Sequence, residues 1–130
     1  MTGGLHGVLR AVDAVTVRVP DLDQGLAFYR DRLGHALLWR DDDRGQAGLR
    51  LPDGETELVL SVDLPYEPSW LVASVPQAVA ALVAAGGTVL VDPQDIPVGR
   101  LAVVEDPFGN RLVLLDLSRG RYAVEGAEVD

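Results

Sequence analysis

From Val12 to Val19 apolar and polar residues largely alternate, and after Pro20 apolar positions recur three and four apart at Leu22, Leu26, Tyr29 and Leu33. Alternation predicts a strand with one buried face, and the wider spacing predicts a helix with one buried stripe. Asp21 is placed to cap that helix, with Gln24 three residues on in capping-box spacing, and Gly34 is placed to stop it. Short apolar runs at 36–39, 48–51 and 57–62 predict three further strands. The polar stretch 41–45 and the Pro52-Asp53-Gly54 turn separate them. The first half therefore reads β-α-β-β-β.

The order then restarts. Val19-Pro20 and Val75-Pro76 each close a strand-like run and open a helix-like one, which sets a period of 75 minus 19, or 56 residues. On that period the run 70–74 matches 14–18, and Leu82 matches Leu26. Tyr66-Glu67-Pro68 becomes the connector and 70–75 the opening strand of the second half. Ser74 and Gln77 again have capping-box spacing, and an Ala- and Val-rich helix stops at Gly86-Gly87. Strands follow near 88–91, 100–105 and 110–117, with Asp106-Pro107-Phe108-Gly109 as a tight turn. The expected organisation is a leader over 1–11 and one domain over 12–117, with modules 12–64 and 69–117, then a polar tail over 118–130. Two such modules bury each other's sheets.

Length and composition change this picture only at the margins. The 130 residues suffice for one domain with its own core. No apolar run is long enough to span a bilayer, and no secretory signal pattern opens the chain, so a cytoplasmic protein without membrane contact is expected. With no cysteine there is no disulfide framework, thiolate metal site or cysteine nucleophile. The net charge of −9 argues against nucleic acid and suits a cationic ligand, though a solvated acidic surface is the plainer reading.

The phrases Val17-Arg18-Val19-Pro20-Asp21-Leu22, Phe28-Tyr29-Arg30-Asp31-Arg32-Leu33-Gly34 and Val104-Glu105-Asp106-Pro107-Phe108-Gly109-Asn110 carry a resemblance. In this order they resemble the vicinal oxygen chelate superfamily of glyoxalase I, bleomycin-resistance proteins, fosfomycin-resistance enzymes and extradiol dioxygenases. The resemblance covers roughly residues 12–117. It implies an α+β fold of two βαβββ modules forming a shared curved-sheet cleft, usually assembled as a homodimer. It does not imply a reaction, because one fold hosts many functions. In the metal-dependent branches the ligands come from the first and last strands of each module. Carried onto this sequence, the first-strand positions are Ala14 and Trp70, and the last-strand positions, aligned through Glu57-Leu58-Val59-Leu60 and Arg111-Leu112-Val113-Leu114, are Val59 and Val113, none of which donates a lone pair to a divalent metal. The expectation is no metal and no cofactor.

Other chemistry is sparse. His6 and His35 have no partner at ligand spacing, and Asp41-Asp42-Asp43 lacks the glycine and distant glutamate of a calcium loop. Ser61 and Ser74 lack an activating histidine and a nucleophile elbow. Glu57 or Asp63 could serve as a general acid or base, with surface carboxylates as the plainer reading. No catalytic residue is assigned. By strand alternation Ala14, Thr16 and Arg18 share a face, as do Val59 with Ser61, Trp70 with Val72, and Arg111, Val113 and Leu115. If these line the cavity it is mainly apolar, with Trp70 as its largest wall. Trp39, its face unassigned, and Tyr66 are further walls, and Arg18 suits an anionic substituent. Trp70 as a core residue that fills the former metal cavity is the competing reading. The function expected is metal-independent binding that sequesters a small aromatic compound, which can also be cationic, as in the bleomycin-resistance branch. The alternative is a glyoxalase- or dioxygenase-like lyase or oxidoreductase with a non-standard or absent metal site.

Overall fold

The computed structural model describes residues 7–120. His6, the first part of the expected leader and the tail from 121 lie outside the described residues. The chain divides into two compact units. One is Val12–Ser69, and the other joins residues 70–120 to residues 7–11. The first runs β1 (Ala11–Arg18), α1 (Leu22–Leu26), β2 (Leu37–Asp41), β3 (Gln46–Arg50) and β4 (Glu57–Ser61). β5 (Glu67–Leu71) runs across the boundary into the second, which continues with α2 (Val75–Ala84), β6 (Thr88–Ile96), β7 (Gly99–Glu105) and β8 (Arg111–Asp116). This is the expected α+β fold of two βαβββ modules.

In the first unit the strand order is β2-β3-β4-β1, with β1 parallel to β4 and the other neighbours antiparallel. Register sets Val17 opposite Leu60 and Leu60 opposite Ala47, and likewise Val15, Leu58 and Leu49. These residues form the face under the helix, where Ala47, Leu49 and Leu60 pack with Val19, Leu22 and Leu26. Leu26 and Leu60 are almost wholly buried, and each contributes about 2 kcal/mol by leaving water. Gly25 lets the helix press close: a Cβ there would lie only 3.0 Å from Val19 and 3.1 Å from Leu60. Asp21 caps α1 as expected, accepting from Gln24 N at 2.7 Å. The Gln24 side-chain amide bonds the other carboxylate oxygen instead of the backbone. Beyond Leu26 the helix widens to π-helical turns over Ala27–Arg32 and ends at Gly34.

The second unit has the order β5-β8-β7-β6. Ala102, Val104 and Leu114 pack under α2 against Val75 and Ala78, with Val72 beside them. Val8 and Leu9 join this cluster, and Arg10 N donates to Leu71 O, so the end of the expected leader is part of the second core. β6 is longer than expected and ends the strand order. It holds Pro93 and two breaks in its register with β7.

The period of 56 is corrected. Val19 N donates to Ser61 O and Val72 N to Leu115 O, so Val72, not Val75, is the counterpart of Val19. The helix caps agree: Asp21 and Ser74 are 74 minus 21, or 53, residues apart. Leu82 thus corresponds to Tyr29, not Leu26. The second opening strand starts at Glu67, inside the expected connector, and ends at Leu71. The two prolines misled because proline is tolerated both just before a cap and within the first helical turn. Pro20 precedes Asp21, whereas Pro76 follows Val75. The slip is three residues, an odd number, and therefore reverses every side chain of the strand.

Asp116, only 2% exposed, joins three parts of the second unit. Its carboxylate accepts from Val75 N at 2.7 Å, Arg100 N at 3.0 Å and Ser118 N and Oγ at 3.2 and 2.8 Å. Burial pushes its pKa up, but the bonds from Val75, Ser118 and Arg100 outweigh burial and hold it below the ordinary aspartate value. A lowered folded-state pKa gives stability that is present above the unfolded value of about 3.9 and lost as pH falls through the folded value. Asp116→Asn should cost about 2 kcal/mol at neutral pH. It should also flatten the loss of stability on acidification through that window, as read by urea denaturation at both pH values.

Candidate functional site

The face of the first sheet turned away from α1 collects the chemistry. Across β1 and β4, Ala14 stands opposite Glu57, Thr16 opposite Val59 and Arg18 opposite Ser61. The middle row extends from Val59 through Gly48 on β3 to Trp39 on β2. The expected grouping of Ala14, Thr16 and Arg18, and of Val59 with Ser61, is the grouping this register makes. It also assigns Trp39 to the same face.

Trp39 reaches further than its own strand. Its Nε1 donates to Glu57 Oε1 at 2.8 Å, although Glu57 is on β4 and β3 lies between. The indole crosses at Gly48, where a Cβ would run into Nε1, Cε2 and Cδ1. Glu57 is 7% exposed and Trp39 half-buried, so a carboxylate and an aromatic ring are fixed side by side. The sequence already marked both residues but not their contact. The signal was Gly48, a glycine inside a strand, which often marks a close approach.

The other candidates are distributed differently. Ser61 is fully buried, and its hydroxyl is spent on the turn after β4: it donates to Asp63 Oδ1 at 3.1 Å and accepts from Leu64 N at 3.0 Å. It shapes the chain reversal and offers little to a ligand. Arg18 is exposed at the end of β1, and Tyr66, 75% exposed, stands in solvent before β5. In the second unit Arg111 faces Glu105 and Val113 faces Val103, on the face opposite α2. Trp70 is not with them. It packs, as does Val72, against the cluster of Val75, Ala78, Ala102, Val104 and Leu114. The expected grouping of Trp70 and Val72 as cavity-facing is corrected by the three-residue slip, which turns both toward the cluster under α2.

The same slip changes the family's ligand positions. The counterpart of Ala14 at a spacing of 53 is Glu67, which makes the set Ala14, Val59, Glu67 and Val113. One carboxylate among an alanine and two valines does not fit a first-row metal, which needs several donors held together. Among the described residues no three His, Cys, Asp or Glu side chains gather as a metal site requires. His35 Nδ1 instead lies 3.0 Å from Arg50 O, and the acidic turn is tied up with Arg40 on Asp42 and Asp23 and Arg44 on Asp41.

Two βαβββ units of this order define a vicinal oxygen chelate fold. Residues 14–115 match the sequence profile of the glyoxalase-like domain, and the chain belongs to that family. No curated protein matches it. Among solved structures it is similar to methylmalonyl-CoA epimerase from Mycobacterium tuberculosis, with 19% identity and a TM-score of 0.68 over 89% of this chain and 93% of that one. A variant of the Streptomyces coelicolor methylmalonyl-CoA epimerase in complex with 2-nitronate-propionyl-CoA has 21% identity and a TM-score of 0.66, over 85% of this chain and 99% of that one. A hypothetical protein from Bacillus halodurans C-125 has 19% identity and a TM-score of 0.63, over 81% and 92%. At such identities the likeness speaks of the fold alone. No helix among the described residues is long and apolar enough to cross a membrane.

The position of Trp70 has a measurable consequence. Trp70→Ala removes a large ring from the α2 cluster and should cost about 3 kcal/mol of stability through lost burial and a residual cavity. Thermal or urea unfolding of the variant checks it, and a loss below about 1 kcal/mol would contradict the packing described.

Proposed function

We propose that this protein binds a small aromatic compound without a metal, against the face of the first sheet turned away from α1. The single observation that carries the reading is the Trp39 indole fixed beside Glu57 in a row with Gly48, Val59 and Thr16. An aromatic wall with a few placed polar groups is how small-molecule sites are generally built. Arg18 and Thr16 border this face, and Ala14 and Val59 give it an apolar floor. The acidic balance of the chain suits a ligand that also carries positive charge. Trp39 takes the anchoring role first assigned to Trp70. The residues at the family's ligand positions support binding without a metal, which is the manner of the bleomycin-resistance branch. A homodimer, as the family resemblance implies, and a cytoplasmic location, as the absence of a signal pattern suggests, complete the reading.

Two measurements test it. Elemental analysis with native mass spectrometry of the purified protein should find no stoichiometric transition metal and a dimer mass. A stoichiometric metal whose addition switches on turnover would sink the binding role and favour a lyase or oxidoreductase. Screening planar aromatic compounds by thermal shift should yield a stabilising ligand. Trp39→Ala should weaken its binding by about 1–3 kcal/mol, the loss expected of an aromatic anchor. Trp70→Ala, where folded, should leave the affinity in place. Equal losses from both variants would remove Trp39 as the anchor.

A further inference from the structure

We infer that Gly48 is a positioning residue of this face: it is the slot that seats the Trp39 indole, and by seating it determines whether a planar ring can be taken. The ligand half of this inference rests on the binding role proposed above. β2 ends the strand order, and Trp39 on it stands opposite Gly48 on β3. Glu57, which accepts from the indole Nε1, is one strand further on. Neighbouring strands are about 4.8 Å apart, so the indole crosses one spacing to lie directly over residue 48, and the Glu57 side chain reaches it across the second. A Cβ at that position would occupy the place of the five-membered ring.

Glycine weakens a strand, and several glycines of this protein, Gly34, Gly45 and Gly109 among them, stand where the chain takes a positive φ. Gly48 is not among the positive-φ glycines. Its backbone would accept any residue, and what the site requires of it is space. A methyl group at 48 forces the indole off β3 and breaks its bond to Glu57. The ring then no longer lies as a fixed wall for a planar ligand to pack on.

The test uses the Trp70→Phe background, in which Trp39 is the single indole of the chain's two. There Gly48→Ala should raise acrylamide quenching of the indole about twofold. It should also weaken binding of thioflavin T, a planar cation, about tenfold, the loss of a displaced anchor. In a Trp39→Ala background the same substitution should leave thioflavin T binding unchanged within roughly twofold, because the two residues act through one contact. Unchanged quenching overturns the inference, and so does an equal loss of affinity in the Trp39→Ala background. Should Gly48→Ala fail to fold, the double variant Trp39→Ala, Gly48→Ala decides. Recovered folding supports the seat, and a double variant that stays unfolded while Trp39→Ala alone folds overturns it. If the parent protein binds no thioflavin T, the ligand half falls with the binding role, while the quenching comparison still decides the seat.

Discussion

A backbone hydrogen bond closes the first strand of each unit onto its last: Val19 N on Ser61 O, and Val72 N on Leu115 O. Two residues later a side-chain oxygen takes the first free amides of a helix, from Asp21 in one unit and Ser74 in the other. These contacts fix where strand ends and helix begins, and with that they fix strand parity. Parity then assigns each residue of the strand to the helix side or to the open side. Leu60 and Val17 go under α1, and Thr16 and Val59 go to the other face. The distribution of chemistry in the molecule depends on this one junction, made twice.

The fold was legible because its signals are local and repeated. Alternation in β1, the cap at Asp21, and the Asp106-Pro107-Phe108-Gly109 turn each act over a few residues, and each lies where the pattern placed it. The second module was misaligned because two cues disagreed. Val-Pro is a conspicuous pair but has no fixed place in a strand-to-helix turn. The cap pairs Asp21 with Gln24 and Ser74 with Gln77 bind the backbone and therefore mark the true repeat. Weighting cues by the bond they make, and not by how visible they are, would have put Glu67 in line with Ala14.

The candidate site was only partly legible, for a different reason. Trp39 and Glu57 are 18 positions apart, and their contact exists because β2, β3 and β4 lie in one register with no side chain at Gly48. No window along the chain contains that fact. Ser61 shows the opposite limit: its place on the face away from α1 was readable, but its hydroxyl is consumed by backbone amides that only the folded turn brings near. Shared ancestry of fold does not fill the gap. The glyoxalase-like family provides the scaffold, while Ala14, Val59 and Val113 carry side chains with no lone pair to offer a metal.

The irregular β6 also governs how these molecules meet at high concentration. A terminal strand offers unpaired amides and carbonyls to any other extended chain, and so templates aggregation. Pro93 removes one donor from β6, the two breaks in register bend what remains, and exposed Asp92 and Asp95 set charge along it. A neighbouring copy approaching this strand meets a ladder it cannot extend.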